Sequence, residues 1–233
     1  MNLSEVINSY MAKTKGLREH CERCLRTERW NGKPVLMVID AAFTSIGLNY
    51  FKSVVPKVIE FEKRFVKKGL VQNFEDLKSI SISDVKDIWG NKRSWNVAKS
   101  VASCFYELAK SKKLNDREAL RQWASSSSLE NWKEDPIGKI KGVGINTYQY
   151  LRMMGGIDIA MPDKVVRKVI KQILKESNTE MPTDGDIELV RTIEKIASIS
   201  FYRSIEICWM TWLVQSEGEV IRMEKYRDVL ERI

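Results

Sequence analysis

The spacing of apolar residues is the feature that most constrains the fold of this chain. Apolar side chains recur every three or four residues in three stretches: Val54, Val58, Phe61 and Phe65; Val97, Val101, Phe105 and Leu108; and Val166, Val169, Ile170 and Ile173. This spacing gives a helix one apolar face, whereas a half-buried strand would need strict alternation. Only 12 Gly and 5 Pro interrupt 233 residues, so few positions break a helix. The sequence therefore predicts an all-α fold.

The positions of capping residues and breakers divide this pattern into fourteen predicted helices. They cover residues 3–13, 16–29, 34–47, 51–68, 74–78, 82–89, 91–111, 116–125, 136–140, 145–154, 163–176, 184–198, 201–215 and 217–232. The sequence contains no internal repeat and no linker between independent halves.

Composition excludes several classes of protein. A membrane-spanning helix requires about 18 consecutive apolar residues, and Asp40, Glu60 and Arg203 interrupt the longest apolar stretches. The N-terminus lacks the basic and then apolar pattern of a secretory signal. Four cysteines, of which two are close in sequence, do not form a disulfide framework. We therefore expect a protein that is not secreted and that resides in the cytoplasm, at the nucleoid, or in a eukaryotic nucleus.

Basic charge is concentrated in one segment. The chain has a formal net charge of +8, and residues 139–175 hold eight basic and two acidic side chains. On the helix predicted from 163, the basic residues form a stripe opposite the apolar face, namely Lys164, Arg167, Lys168, Lys171 and Lys175. Such a stripe is either a solvated face or a surface that binds phosphates.

A glycine hairpin lies at the start of this basic segment. In Ile140-Lys141-Gly142-Val143-Gly144-Ile145-Asn146-Thr147, two glycines enclose one apolar residue, which permits a turn too tight for Cβ atoms. Asp135-Pro136 before it is typical of a helix start, and a helix follows. The backbone N–H groups at the start of that second helix form a site that attracts phosphate.

The hairpin and the segment after it resemble a known family. Gly142-Val143-Gly144-x-x-Thr147 is followed by Gly155-Gly156 and then by Asp163-x-x-Val166-x-Lys168-Val169. This order resembles the helix-hairpin-helix DNA glycosylase superfamily, whose hairpin commonly reads Leu-Pro-Gly-Val-Gly-x-Lys-Thr-Ala. Its second segment usually reads Val-Asp-Thr-His-Val-x-Arg-Val. Lys141 replaces the family's proline and Val165 its histidine. With the segment 83–93, which is similar to the family's preceding helix and glycine turn, the resemblance extends over residues 34–175.

The resemblance implies a fold of two helical lobes with a cleft between them. Residues 34–156 would form a helical barrel that ends in the helix-hairpin-helix motif at 136–154, and residues 1–33 plus 157–233 would form the second lobe. The implied function is DNA repair, in which the enzyme removes a damaged or mispaired base from duplex DNA. A monomer is expected.

Asp163 is the catalytic residue that the resemblance implies. Breaking an N-glycosidic bond builds positive charge on the sugar, which a carboxylate stabilises while it positions or deprotonates the attacking water. The alternative role is structural, because an aspartate after a proline is also a good N-cap for the helix that follows. Both roles can coexist in one residue.

Asn146 occupies the position at which strand-nicking relatives carry a lysine that forms a Schiff base. An amide cannot form the imine, so the resemblance implies a monofunctional glycosylase. Two alternatives stay open. Lys139, Lys141 or Lys164 could supply the amine and give lyase activity, or the chain could be a non-catalytic module that binds DNA structures.

The DNA contacts that the resemblance implies come from the hairpin and from the basic stripe. They are Gly142, Val143, Gly144, Ile145, Asn146, Thr147, Lys164, Lys168 and Lys171. The family also inserts a wedge residue from a loop after an early apolar helix, and residues 38–45 correspond to it. Phe43 is a candidate for the wedge, although a core role is favoured. The aromatic residue that contacts the extruded base is expected among Trp30, Tyr148, Trp209 and Trp212.

Many members of the superfamily that the chain resembles carry a four-cysteine iron–sulfur loop after the catalytic helix. Here Cys208 is the only cysteine in that region, so we expect no iron–sulfur cluster. His20, Cys21 and Cys24 could contribute to a zinc site, although two further ligands at typical spacing are missing and a core role is favoured. By resemblance, the main-chain carbonyls of Gly138, Ile140 and Val143 could hold a monovalent sodium or potassium ion.

Overall fold

All regular elements of the described chain are helical, as the sequence predicts. A computed structural model describes residues 1–14 and 16–217, and these contain no β-strand. The α-helices are α1 (Leu3–Met11), α2 (Leu17–Leu25), α3 (Arg29–Gly32), α4 (Pro34–Thr44), α5 (Val55–Phe61), α6 (Phe74–Ser79), α7 (Ile82–Val85), α8 (Lys92–Lys112), α9 (Asp116–Ser126), α10 (Ile145–Met154), α11 (Lys164–Glu176), α12 (Asp186–Ser200) and α13 (Ser204–Glu217). Two π-helical turns, Tyr50–Val54 and Glu62–Val66, flank α5.

Asparagine side chains determine where several helices begin. The side-chain oxygens of Asn2, Asn73, Asn91 and Asn115 each accept the N–H group three residues later, at 2.9 Å. These bonds satisfy amides in the first turn of each helix, which have no acceptor within the helix. The starts of α1, α6, α8 and α9 are therefore encoded locally.

Helix α4 forms the centre of the molecule. Its residues from Val35 to Phe43 are all buried, including Asp40, and it packs against α8 and α10. A helix that is apolar on all sides has to be surrounded by other elements. Helix α8 also contacts α6 and α9, and α11 contacts α1 and α13. One connected cluster of buried apolar residues runs through all these helices, and the division into two lobes stays a prediction.

Two predicted helices are clearly shorter in the structure, and a third cannot be compared. The predicted helix 16–29 ends at Leu25, because Thr27, Trp30 and Asn31 adopt left-handed conformations with φ of 58°, 52° and 55°. This turn directs the side chains of Arg29 and Trp30 into the core, where both are buried. The predicted helix 82–89 ends at Val85 as α7. The predicted helix 217–232 lies outside the described residues.

The predicted helix 136–140 is also wrong, since this segment forms hydrogen-bonded turns. The Lys139 amide donates to the Asp135 carbonyl at 2.9 Å, and the Ile140 amide donates to the Ile137 carbonyl at 3.2 Å. Gly138 explains the departure, because its backbone is so close to Trp132 that a Cβ atom would overlap the Trp132 carbonyl oxygen. Packing of the loop onto Trp132 therefore decides the local conformation.

No helix within residues 1–14 or 16–217 is both long and apolar enough to span a membrane.

Candidate active site

A cavity of about 600 Å³ lies where α10 and α11 begin. It brings together seven of the predicted site residues: Gly142, Gly144, Ile145, Asn146, Thr147, Asp163 and Lys164. The remaining lining comes from the loop after α4, from Arg93 on α8, and from Tyr50, Tyr150, Met161, Val165 and Trp212. Residues of both predicted lobes thus meet in one cavity.

The hairpin lies against α8 and presents the start of α10 to the cavity. Gly142 has a φ of +101°, and a Cβ atom there would lie 2.9 Å from Cγ2 of Val97, so a glycine is needed at this position. Gly144 is the N-cap of α10, and no described side chain hydrogen-bonds to cap this helix. The first amides of α10 therefore remain available to an anion. The side chain of Val143 is buried, so only its main chain can contact DNA.

Asp163 is the N-cap of α11, as the sequence predicts, and its carboxylate reaches the cavity. Oδ1 accepts the Val166 amide at 2.8 Å, and Oδ2 accepts the indole Nε1–H of Trp212. Burial raises the pKa of Asp163 above its usual value, while the hydrogen bonds from Val166 and Trp212 act in the opposite direction. Two donors from two helices thus orient a partly buried carboxylate.

Asn146 lies in the first turn of α10, exposed and on the cavity wall.

The three lysines predicted as alternative nucleophiles are all exposed, and they differ in position. Lys164 lines the cavity beside Asp163, whereas Lys139 is ion-paired with Glu134 at 3.4 Å. Lys139 and Lys141 do not belong to the described lining, so Lys164 is the one predicted amine beside Asp163.

Two tyrosine rings with fully engaged hydroxyl groups also line the cavity. The hydroxyls of Tyr50 and Tyr150 donate to Oδ2 of Asp40 at 2.9 and 2.8 Å, and Arg29 Nη2 donates to each of them at 2.7 Å. Arg29 and Asp40 form a buried ion pair at 3.3 Å. Burial is the largest cause of the raised pKa of both tyrosines. The tyrosines therefore offer ring surface to the cavity.

Sequence reasoning missed this buried network, although one signal for it was present. Asp40 lies within an otherwise apolar run, and a buried carboxylate has to be paired with partners. Trp30 completes the set, since its Nε1 donates to Asp40 Oδ2 at 2.8 Å. The left-handed turn at 27–32 is what carries Arg29 and Trp30 to Asp40.

The wedge candidate lies in the core. Phe43 is fully buried and stacks on Trp89, with ring centroids 3.8 Å apart, so the favoured core role is confirmed and the wedge alternative is wrong. The reason is that Phe43 still belongs to α4, whose sides all face the core. The loop that follows, residues 45–49, does line the cavity, and Leu48 within it is 41% exposed.

One of the four predicted pocket aromatics, Trp212, lies in the cavity. Trp30 is bonded to Asp40, Tyr148 packs edge-on against Trp123, and Trp209 covers the guanidinium of Arg29 at 4.9 Å. These three are structural. The rings that join Trp212 in the lining are Tyr50 and Tyr150, which sequence reasoning did not single out.

The basic stripe is partly neutralised in the structure. Lys164, Lys168 and Lys171 are exposed as predicted, but Lys171 is paired with Asp184 at 2.7 Å. Arg93, which was missed as a binding residue, is exposed and lines the cavity beside Gly142.

The predicted metal ligands are part of the core or the hairpin. His20, Cys21 and Cys24 are buried in α2, and residues 1–14 and 16–217 contain no group of three or more His, Cys, Asp or Glu side chains arranged to hold a metal. At the hairpin, the Ile140 carbonyl accepts the Val143 amide at 2.9 Å. This carbonyl keeps a second lone pair for a monovalent ion.

Comparisons with known proteins support the fold. No family model matches the chain, and no curated protein matches it. Two solved structures are similar over 94% of the chain. The 8-oxoguanine DNA glycosylase of Thermotoga maritima has a TM-score of 0.53 at 13% identity over 98% of its own length. That of Methanocaldococcus jannaschii has a TM-score of 0.52 at 12% identity over 94% of its length. The chain therefore has the all-α helix-hairpin-helix fold of these glycosylases.

Proposed function

We propose that this chain is a DNA glycosylase that hydrolyses the N-glycosidic bond of a damaged or mispaired base in duplex DNA. The observation that carries this proposal is the position of Asp163, a carboxylate held by two donors in the cavity that the hairpin also lines. A non-catalytic module that only gripped phosphates would need Asp163 just as the N-cap of α11, which Oδ1 alone provides, and the second carboxylate oxygen would repel phosphate.

In the proposed reaction, the target nucleotide leaves the helix and its base enters the cavity. The bond between C1′ and the base nitrogen breaks, and the electron pair leaves with the base. Asp163 stabilises the positive charge that develops on the sugar and accepts a proton from the water that attacks C1′. The departing base takes up a proton, so the products are a free base and an abasic site.

DNA would be held by the hairpin amides and by basic side chains around the cavity. The amides at the start of α10 and the side chains of Arg93 and Lys164, which line the cavity, would contact phosphates near the extruded nucleotide. Leu48 on the loop after α4 would fill the gap left in the duplex, since it is apolar, exposed and at the cavity. A monovalent ion on the carbonyls of Gly138, Ile140 and Val143 would stiffen the hairpin.

We infer a monofunctional enzyme from Asn146, which cannot form a Schiff base. The second candidate is a glycosylase with lyase activity, and one observation favours it: Lys164 lines the cavity next to Asp163. Sodium borohydride traps a covalent enzyme–DNA adduct only if an amine attacks the sugar, so it separates the two.

The decisive experiment is a panel of duplexes, each with one modified or mispaired base, scored for abasic sites. 8-oxoguanine is the first base to test, because it is the substrate named for both similar structures. Base release from one duplex by wild-type protein and none by Asp163→Asn is the expected result. Binding of duplexes without release of any base would favour the non-catalytic module instead.

A further inference from the structure

We propose that Trp212 is a positioning residue for Asp163, whose indole N–H orients the carboxylate. This inference rests on the proposed function, since it concerns the same carboxylate. It adds a role for α13, a helix that carries none of the predicted catalytic motif.

The hydrogen bonds of Asp163 are divided between two elements. Oδ1 accepts the Val166 amide at 2.8 Å, which is the ordinary N-cap bond within α11. That bond alone leaves the carboxylate able to turn about its Cβ–Cγ axis. Trp212 Nε1 on α13 donates to Oδ2 and removes this freedom. With donors on both oxygens, the plane of the carboxylate is set.

Trp212 is itself held by the wall of the cavity. Its ring packs edge-on against Tyr50, with centroids 5.5 Å apart and an interplanar angle of 81°, and it also contacts Trp209 at 6.3 Å. The Tyr50 hydroxyl is bonded to Asp40 and Arg29, so the Tyr50 ring cannot shift without breaking these two buried hydrogen bonds. The direction of the indole N–H is therefore defined by contacts outside α11.

The electrostatic setting makes this hydrogen bond important for ionisation. Burial is the largest cause of the raised pKa of Asp163, and the described causes that lower it are hydrogen bonds from Val165, Val166 and Trp212. Trp212 is the one side chain among these donors. A hydrogen bond to the charged form favours that form, so loss of Trp212 raises the pKa of Asp163 further.

The other titratable and charged groups that face this carboxylate come from five elements. They are Lys164 on α11, Arg93 on α8, Tyr50 in the first π-helical turn, Tyr150 on α10 and Cys208 on α13. Burial raises the pKa of Cys208 to about 12 and Tyr50 and Tyr150 also titrate far above neutrality, so these three remain neutral near pH 7. Both cations are exposed and therefore screened by solvent.

The test compares Trp212→Phe with Trp209→Phe. Both variants replace an indole on α13 by a phenyl ring, but Trp209 makes no described hydrogen bond to Asp163. The pKa of Asp163 is measured by carbon-detected NMR of the side-chain carboxyl group, which needs no catalytic turnover. In Trp212→Phe the pKa should rise by about one pH unit, as expected for loss of a hydrogen bond to a charged group. In Trp209→Phe, which keeps an aromatic ring beside Tyr50 and Trp212, it should stay close to the wild-type value.

The pH profile of base release under single-turnover conditions gives the second readout. In Trp212→Phe the acidic limb of the profile should move to higher pH by the same amount as the Asp163 pKa. A merely structural defect would lower the rate at all pH values. An unchanged Asp163 pKa in a folded Trp212→Phe variant would overturn the role of Trp212 while leaving the glycosylase function standing. Absence of base release by wild-type protein would instead refute the proposed function, and the NMR titration would still decide the hydrogen bond.

A measurement on the wild-type protein covers the case in which Trp212→Phe fails to fold. The indole N–H signal of Trp212, assigned through bonds, should move with the titration of Asp163 and lose this dependence in Asp163→Asn. A Trp212 signal that does not respond to pH would overturn the inference.

Discussion

Gly142 and Val97 are in such close contact that a Cβ atom on the glycine would lie 2.9 Å from Cγ2 of the valine. This contact docks the hairpin onto α8, and the φ of +101° at Gly142 turns the chain toward the start of α10. The position of the α10 amides in the cavity thus depends on a glycine one turn before the helix.

Gly142→Ala should therefore destabilise the protein, whereas Gly144→Ala should not. Alanine at 142 is strained by its positive φ and meets Val97, at a cost of about 1–3 kcal/mol, which lowers Tm by several degrees. Gly144 has a φ of −102° and no atom within 4 Å of an added Cβ. Thermal unfolding of both variants measures the difference, and equal Tm values would show that the hairpin is not held by this contact.

Asp163→Asn should remove base excision while the fold and DNA binding persist. The amide oxygen still caps α11 through the Val166 N–H, but it carries no charge to stabilise the sugar. A loss of activity of more than about a hundredfold, the scale of one electrostatic group in an active site, is expected. Single-turnover release of base and a binding titration on the same duplex check this, and wild-type rates in the variant would contradict the assignment.

Arg93→Gln and Lys164→Gln should weaken binding to every duplex sequence, whereas Lys175→Gln should not. Arg93 and Lys164 line the cavity, while Lys175 lies three turns further along α11, about 16 Å away. Each lost phosphate contact should reduce the slope of log K against log salt by about one. Binding measured at several salt concentrations reports this slope. Equal slopes in all three variants would mean that DNA does not pass over the cavity.

Wild-type protein should form no adduct under borohydride and should leave abasic sites that break only in alkali. Asn146→Lys places an amine on the cavity wall at the first turn of α10, and a weak adduct is expected from it. Adducts are detected by gel mobility. A strong adduct with the unmutated protein, lost in Lys164→Arg, would identify Lys164 as a nucleophile and replace the monofunctional interpretation.

Stability should fall in mild acid because of His20. Burial, followed by the charges of Arg29 and Arg23, lowers the pKa of His20 from 6.5 to about 3, so the folded protein keeps this ring neutral. The stabilisation is fully present above pH 6.5 and is lost as the pH falls toward 3. At pH 5 the loss of stability amounts to about 2 kcal/mol. Unfolding titrations of wild type and His20→Phe at pH 7 and pH 5 test this, since the variant should lose less stability. Parallel losses would exclude His20 as the cause.

The local features of this protein follow from the sequence. Helix periodicity identified the buried faces of α8 and α11, and capping residues such as Asn91 and Asp163 marked where these helices begin. Each of these signals acts within one or two turns of the chain, so it does not depend on the rest of the fold. The order of the glycine hairpin and Asp163 along the chain is also a local feature, because both lie within one short segment.

The remainder of the candidate site was decided by tertiary structure. The predicted helix at 136–140 is lost because Gly138 packs on Trp132, and Phe43 is buried because α4 is surrounded on all sides. Tyr50 and Trp212 are far apart in the sequence, and no local pattern relates them, yet their rings meet beside Asp163. By itself, then, the sequence determined the helices, the hairpin and the acidic cap. Only the tertiary structure decided which side chains surround that carboxylate, because contacts between distant segments depend on how whole helices pack.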